Sequence, residues 1–204
     1  MLLIGQIIDD HFHNTFFKMN RIPRVVVLGS TAVGKTSIIN RIIEGTFDPT
    51  TPPTTGAGYF VYKPSNYGGK EIQIWDTAGM ERYRSMNQVY YRDALGAILM
   101  FNLTDLDSFN DLDSWLTDLL NATKKKPFII LVGNKSDLQD KIVVSKAQIL
   151  TFCENYSGIP YFETSALNGE GVQTMIDALV AGLPKTYDMA SSPTEENPSS
   201  FKCC

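Results

Sequence analysis

The chain contains 204 residues, with 43% hydrophobic content and a formal net charge of −4, which suits one globular domain with flexible ends. The mildly acidic balance, without a dense run of Lys and Arg, argues against a nucleic-acid-binding protein. No apolar run reaches the roughly 18 residues of a membrane-spanning helix. The three cysteines form no disulfide framework, which favours a reducing compartment.

Strand-like and helix-like patterns alternate from residue 22 onward. Short β-branched runs predict strands over 24–29, 58–63, 71–76, 95–101, 127–133 and 160–163. Apolar stripes predict helices over 35–44, 81–92, 105–123, 145–156 and 170–183. This order predicts a three-layer α/β fold, with five helices covering both faces of a six-stranded, mostly parallel sheet. A hairpin turn at Tyr67-Gly68-Gly69-Lys70 makes one edge strand antiparallel.

The two ends of the chain lack this alternation. Residues 1–20 match nothing later in the chain, so we expect an extension that is amphipathic or disordered, or that precedes a native start at Met19. Residues 185–204 are dominated by Pro, Ser, Asn and Glu, which predicts a flexible tail. The folded domain is therefore expected over 21–184.

A phosphate-binding loop follows the first strand. Its sequence Gly29-Ser30-Thr31-Ala32-Val33-Gly34-Lys35-Thr36 fits G-x-x-x-x-G-K-[ST], and it stands between a strand and a helix as this motif requires. Glycines let backbone N–H groups turn toward phosphate oxygens. Lys35 can reach the β- and γ-phosphates, and the Thr36 hydroxyl can bind Mg²⁺. The helix that follows presents its positive dipole end to the same anion.

Further polar residues follow the carboxyl ends of other predicted strands, where parallel sheets bind their ligands. Asp76 offers a carboxylate to Mg²⁺, directly or through water. Thr54, in a Pro- and Thr-rich loop rather than at a strand end, offers a second hydroxyl. The Gly79 N–H can approach a γ-phosphate. In Asn134-Lys135-Ser136-Asp137 the final carboxylate can accept hydrogen bonds from guanine N1–H and its amine, which adenine cannot supply. Glu163-Thr164-Ser165-Ala166-Leu167 offers backbone N–H groups to guanine O6.

On these motifs the chain resembles small GTPases of the Ras superfamily, and the Rab family in particular. The resemblance covers about residues 22–184 and the last two residues. It is carried by Thr54-Thr55-Gly56-Ala57, by Trp75-Asp76-Thr77-Ala78-Gly79-Met80-Glu81-Arg82-Tyr83-Arg84-Ser85, by Tyr90-Tyr91-Arg92-Asp93-Ala94-Leu95-Gly96-Ala97 and by Cys203-Cys204. A P-loop kinase or ATPase is the alternative that the guanine-reading motif disfavours.

The resemblance implies a set of ligand contacts. Thr36 and Thr54 would bind Mg²⁺, with Asp76 holding it through water, and residues 47–56 and 77–92 would be the first and second switches. GTP or GDP would contact Gly29, Ser30, Thr31, Ala32, Val33, Gly34, Lys35, Thr36, Ser37, Phe47, Thr54, Gly79, Asn134, Lys135, Asp137, Ser165, Ala166 and Leu167. Among these, Phe47 would pack edge-on to the guanine, and Lys135 would lie over its ring.

The resemblance also implies partners. Tyr59, Trp75 and Tyr90 match the aromatic triad through which Rab proteins meet effectors, although plain packing also explains them. An exchange factor, a GTPase-activating protein, a Rab escort protein and a GDP-dissociation inhibitor are expected, and the protein itself is expected to be a monomer. Prenylated Cys203 and Cys204 would attach it to the cytoplasmic face of an intracellular membrane, from which it cycles with the cytosol. Two lipids are needed because the tail carries no polybasic patch.

Two departures from the family pattern affect chemistry. Met80 stands where a Gln normally orients the attacking water, and a thioether donates no hydrogen bond. Intrinsic hydrolysis, assisted by Lys35, Thr54 and Gly79, is therefore expected to be slow, and a GTP-bound scaffold for effectors is the alternative function. A GTPase-activating partner that supplies both Arg and Gln would make Met80 immaterial.

The second departure concerns the loops around the phosphates. Pro49, Pro52 and Pro53 crowd the first switch and predict a stiffer loop. Thr31 and Ala32 are predicted to narrow the space for an arginine from a partner.

Overall fold

The structure is a computed structural model that describes residues 22–80 and 84–184. Within them, one compact unit runs from Ile22 to Leu183. The predicted extension over 1–20 and the tail over 185–204 lie outside the described residues, as do Cys203 and Cys204.

A six-stranded sheet forms the centre of the described unit. Its strands are β1 (Arg24–Leu28), β2 (Ala57–Tyr62), β3 (Ile72–Thr77), β4 (Ala94–Asn102), β5 (Phe128–Asn134) and β6 (Tyr161–Thr164). They lie in the order β2-β3-β1-β4-β5-β6. The β2–β3 pair is antiparallel and the other pairs are parallel, so the predicted fold class is confirmed.

The β2–β3 hairpin turns where the sequence predicts it. The Lys70 N–H donates to the Tyr67 carbonyl at 3.2 Å. Both central residues, Gly68 and Gly69, have positive φ, at 62° and 76°. Tight hairpin turns require this left-handed backbone, which glycine adopts without steric cost.

Helices follow the strands. They are α1 (Lys35–Glu44), α2 (Arg84–Tyr91), α3 (Leu106–Asn110), α4 (Leu112–Ala122), α5 (Lys146–Asn155) and α6 (Val172–Gly182). The predicted helix start at residue 81 falls in the undescribed residues 81–83. None of the described helices is both long enough and apolar enough to cross a membrane.

The prediction of a single helix over 105–123 differs from the structure, in which α3 and α4 meet at Asp111. The N–H groups of Ser114 and Trp115 both reach the Asp111 carbonyl, at 3.1 Å each, so the hydrogen-bond ladder restarts at this residue. The Asp111 carboxylate accepts a hydrogen bond from Ser30 at 2.8 Å. This long-range contact has no local sequence signal.

The core lies on both faces of the sheet. Val25 and Val27 of β1 pack with α1 and α6, while Val26 and Leu28 pack on the opposite face with α4 and α5. Alternating side chains of a strand point to opposite faces, so the continuous apolar run of β1 is buried on both sides.

The register places polar residues together at one edge of the sheet. Asn102 of β4 pairs with Asn134 of β5, and Asn134 pairs with Thr164 of β6. The phosphate-binding loop leaves β1 at the same edge, and Gly79 follows β3. The strand-end motifs of the sequence therefore meet in one place.

Candidate nucleotide-binding site

A cavity of about 500 Å³ opens at this edge of the sheet. Most of the predicted ligand-binding residues line it, namely Thr31, Ala32, Gly34, Lys35, Thr36, Ser37, Phe47, Thr54, Gly79, Met80, Asn134, Lys135, Asp137, Ala166 and Leu167. Other predicted residues, Gly29, Ser30, Val33, Asp76 and Ser165, lie outside the lining. Asp48, Pro49, Thr51, Pro52, Pro53 and Leu138 also line the cavity without having been predicted as ligand contacts.

The phosphate loop wraps around Lys35, which is only 6% exposed. Its Nζ donates to the carbonyls of Gly29 and Ser30, at 2.9 Å each. Burial lowers the pKa of Lys35 from 10.5 to about 8, although the negative charge of Asp76 partly opposes this. A bound polyphosphate would stabilise the charged form of this amine, as an anion nearby does.

Two glycines let the loop close this tightly. Gly34 has φ of 99°, and a β-carbon there would collide with the side-chain amide of Asn134. A β-carbon at Gly79 would collide with Lys35 Nζ and the Ser30 carbonyl. The space in front of the loop therefore depends on the absence of side chains at both positions.

Three oxygen-bearing side chains converge beside Lys35. The Thr36 hydroxyl donates to Asp76 Oδ2 at 2.7 Å, and the Thr54 hydroxyl donates to the same atom at 3.1 Å. The two threonine oxygens are 3.0 Å apart. Asp76 is 4% exposed, and its Oδ1 is buried with no hydrogen-bond partner. An unsatisfied carboxylate oxygen beside two hydroxyls is a hard oxygen donor set that fits Mg²⁺.

The protonation of Asp76 reflects the same cluster. Burial raises the pKa of this carboxyl, while hydrogen bonds from Thr36 and Thr54 and the charge of Lys35 act in the opposite direction. A divalent cation at this position would also favour the ionised form of Asp76.

Asn134 joins the phosphate loop to the loop after β6. Its Nδ2 donates to the Val33 carbonyl at 2.9 Å. Its Oδ1 accepts from the Thr164 hydroxyl at 3.3 Å and from the Ala166 N–H at 3.2 Å. These contacts all connect protein segments, and the predicted contact of Asn134 with the base stays a prediction. This positioning role was missed because its partners are distant in sequence.

The other residues that are predicted to contact the guanine base lie around Asp137. Its carboxylate accepts a hydrogen bond from the Ser165 hydroxyl at 2.5 Å. Lys135 adopts a left-handed backbone with φ of 66°. Burial lowers the pKa of Lys135, and the carboxylates of Asp105 and Asp137 oppose this. The predicted roles of these residues toward guanine remain predictions.

Several functional contacts have no local sequence signal. Ser30 turns its side chain away from the cavity, since its hydroxyl donates to Asp111 and accepts from Trp115 Nε1 at 3.0 Å. Asn87 donates to the Ala78 carbonyl at 2.9 Å and so braces the segment before Gly79. Both contacts join segments that only the fold brings together.

The three aromatic residues predicted to contact effectors form one stack. The Tyr59 and Trp75 rings lie 5.2 Å apart, and the Trp75 and Tyr90 rings lie 5.3 Å apart. The Arg24 guanidinium lies 4.6 Å from the centre of the Trp75 ring. Tyr59 is 43% exposed, so the stack reaches the surface, and the effector role remains a prediction.

The strand order and the cavity at the carboxyl ends of the strands define a Ras-like P-loop GTPase fold. A family model described as Ras family matches residues 24–185. Human Ras-related protein Rab-27A is 38% identical over 169 residues, which cover 77% of this chain and 76% of that protein. Human Ras-related protein Rab-27B is 36% identical over 184 residues, with 84% of each chain covered.

The chain belongs to the Rab family of small GTPases. Rab proteins bind GTP and act in vesicle transport, and prenylation and membrane attachment are typical of the family. The family identified from the sequence motifs is therefore confirmed.

Proposed function

We propose that this chain is a GTP/GDP switch whose first-switch loop, residues 47–56, closes over Mg²⁺ and the γ-phosphate. The observation that carries the proposal is the cluster of Thr36, Thr54 and Asp76. It joins the phosphate loop, the first switch and β3 through hydrogen bonds of 2.7 to 3.1 Å. Loss of the γ-phosphate would release the loop.

Each part of the site has a task in this proposal. Thr36 and Thr54 would hold Mg²⁺, with Asp76 acting through water, and the ion would neutralise developing phosphate charge. Lys35 would hold the β- and γ-phosphates, and the Gly79 N–H would sense the γ-phosphate. Asp137 would read guanine N1–H and its amine.

Nucleotide competition tests the proposal. The purified full-length chain, loaded with a fluorescent GDP and Mg²⁺, is challenged with GTP or ATP. GTP should displace the probe at concentrations about 100-fold or more below those of ATP, because adenine offers the half-buried carboxylate of Asp137 neither of its two donors. Displacement by ATP at equal concentration would contradict the proposal and favour a P-loop kinase or ATPase.

The second part of the proposal is slow intrinsic hydrolysis. Met80 lines the cavity next to Gly79, in the position where a glutamine amide would orient water. Met80→Gln should therefore raise the single-turnover rate of GTP hydrolysis about tenfold or more, because misplacing a reacting group can cost about 10²-fold in rate. Equal rates for the two proteins would remove Met80 from the account.

A hydrolysis-poor scaffold that stays GTP-bound is the second candidate function, and the same methionine favours it. The nucleotide carried by the purified protein, measured by chromatography after denaturation, separates the two functions. A switch should carry mostly GDP, whereas a scaffold should carry mostly GTP and show no hydrolysis over hours.

The proposed cellular role follows the family. The folded domain over 21–184 would act as a monomer and recruit effectors through Tyr59, Trp75 and Tyr90. An exchange factor, a GTPase-activating protein, an escort protein and a GDP-dissociation inhibitor would regulate it. Prenylated Cys203 and Cys204 at the end of the tail would hold it on the cytoplasmic face of an intracellular membrane, with return to the cytosol.

A further inference from the structure

Arg41 lies in the last turn of α1 and outside the cavity lining, yet it contacts two of the segments that form the cavity. Its three guanidinium nitrogens each donate to a different main-chain carbonyl. Nε reaches Ala166 at 2.9 Å, Nη2 reaches Leu167 at 2.6 Å, and Nη1 reaches Gly45 at 2.5 Å. The planar guanidinium suits this arrangement, because its donors are fixed in one fork.

The first two contacts orient the loop after β6. Ala166 and Leu167 line the cavity, and the Ala166 N–H is already used by Asn134. In a planar trans peptide the carbonyl and the next N–H point in opposite directions. With the Ala166 carbonyl held on Arg41, the Leu167 N–H is therefore turned away from the guanidinium. A donor fixed in this way is suited to an acceptor such as guanine O6.

The third contact holds the end of α1, just before the first-switch loop. Gly45 ends α1 in a left-handed conformation with φ of 70°, and its N–H donates to the Arg41 carbonyl at 3.2 Å. Arg41 thus holds Gly45 through both its backbone and its side chain. Phe47, two residues further on, lines the cavity and packs against the core. One side chain therefore sets the positions of two cavity walls.

We infer that Arg41 is a positioning residue for guanine recognition, which holds the Ala166–Leu167 backbone and the approach to Phe47 in the arrangement that reads O6. The inference rests on the proposed binding of guanine nucleotides. Arg41 does not contact the base itself. Its effect should appear as selectivity at the O6 position, beyond any contribution to folding.

Three ligands separate these effects. GDP carries O6 and the 2-amino group, 6-thioguanosine diphosphate replaces only O6 with the weaker acceptor sulfur, and inosine diphosphate lacks only the 2-amino group. Affinities for all three are measured with Mg²⁺ for the wild type, Arg41→Ala and Arg41→Lys. Lys146→Ala is the matched control, because Lys146 is an exposed cation on α5 and lies outside the cavity lining.

Arg41→Ala should raise the dissociation rate of GDP roughly tenfold, since it removes three charge-assisted hydrogen bonds from the two walls. Its preference for GDP over 6-thioguanosine diphosphate should narrow, while its preference for GDP over inosine diphosphate should persist because Asp137 reads the amine. Arg41→Lys keeps the charge without the fork and should show an intermediate loss. Lys146→Ala should match the wild type.

Two results would overturn the inference. One is an Arg41→Ala protein with the wild-type GDP dissociation rate. The other is equal weakening of both preferences, which is the signature of a general loosening of the fold. If Arg41→Ala does not fold, as judged by thermal unfolding, an unchanged O6 preference in Arg41→Lys overturns the inference instead. A wild type that binds no GDP would reject the proposed function as well, which distinguishes that failure from the failure of Arg41 alone.

Discussion

The phosphate loop and the first-switch loop line the same cavity but are built differently. The phosphate loop belongs to the core, since Val33 and Lys35 are buried and the loop carbonyls hold the Lys35 amine. The first-switch loop is mostly exposed, and among the described residues its hydrogen bonds to other segments come from Thr54. The phosphate loop is therefore held by the fold itself, whereas we expect closure of the first-switch loop to depend on Mg²⁺ and the γ-phosphate, since Thr54 ties it to Thr36 and Asp76.

The largest expected effect on stability and GDP binding comes from adding a side chain to the phosphate loop at Gly34. Gly34→Ala places a β-carbon against the Asn134 amide in a backbone conformation that costs about 1–2 kcal/mol for an L-residue. Displacing the buried amide costs about 1–3 kcal/mol more. Denaturant unfolding should show a free energy of unfolding lower by about 2–5 kcal/mol, and GDP binding should be lost or greatly weakened.

Gly68→Ala is the matched control for that substitution. Gly68 also has positive φ, at 62°, but a β-carbon there meets nothing within 4 Å. It should show the backbone cost alone and keep nucleotide affinity. Equal losses in the two variants would mean that the contact between the phosphate loop and Asn134 contributes nothing.

Removing the Thr54 hydroxyl should affect only the first-switch loop and leave the phosphate loop unchanged. Thr54→Ala deletes the link to Thr36 and Asp76, so affinity for a non-hydrolysable GTP analogue with Mg²⁺ should fall about tenfold. Affinity for GDP should remain unchanged, because the phosphate loop still holds the diphosphate. Isothermal titration gives both values, and the exposed neighbour Thr55, changed to Ala, is the control. A parallel loss for GDP and the GTP analogue would contradict the comparison.

The lowered pKa of Lys35 in the phosphate loop predicts that GDP affinity depends on pH. In the nucleotide-free protein burial lowers its pKa to about 8 from 10.5, so the amine loses its proton as the pH rises through 8. Binding of a polyphosphate restores the charge, and GDP affinity should fall by up to about tenfold per pH unit above that value. Calorimetry at pH 9 in buffers of different ionisation enthalpy should detect proton uptake on binding.

The stability of the nucleotide-free protein should change with pH in the opposite direction to its GDP affinity. Between pH 8 and 10.5 the unfolded chain binds more protons at Lys35 than the nucleotide-free folded chain does. The contribution of Lys35 to the stability of the nucleotide-free protein therefore becomes more favourable as the pH rises through that window.

GDP binding without proton uptake at pH 9 would contradict both expectations for Lys35, because it would show that the amine stays charged in the free protein.

The smallest expected effect concerns the stiffness of the first switch. Pro52 and Pro53 line the cavity just before Thr54, and each restricts the open ensemble of the loop. Pro52→Ala should weaken binding of the GTP analogue about twofold to fivefold, the equivalent of about 0.4–1 kcal/mol of added loop entropy. GDP affinity should not change. Tighter binding of the analogue would show that the proline strains the closed loop.

The sequence predicts the sheet, the order of its elements and the motifs at the strand ends, because each of these is written in local patterns. The continuous apolar run of β1 and the Gly68-Gly69 turn are examples. The contacts that hold the motifs together are not local. Asn134 reaches Val33 across 101 residues, and Arg41 reaches Ala166 across 125. Such pairs require the fold, so local patterns indicate neither the protein contacts of Asn134 nor those of Arg41.

Hydrogen exchange of the full-length chain in two nucleotide states tests the central comparison most directly. With Mg²⁺ and GDP or a non-hydrolysable GTP analogue, amides of the phosphate loop, residues 29–36, should be equally protected. Amides of residues 47–56 should gain protection only with the GTP analogue, since Thr54 docks the loop there. Equal protection of residues 47–56 in both states, or a phosphate loop protected in only one state, would contradict the account.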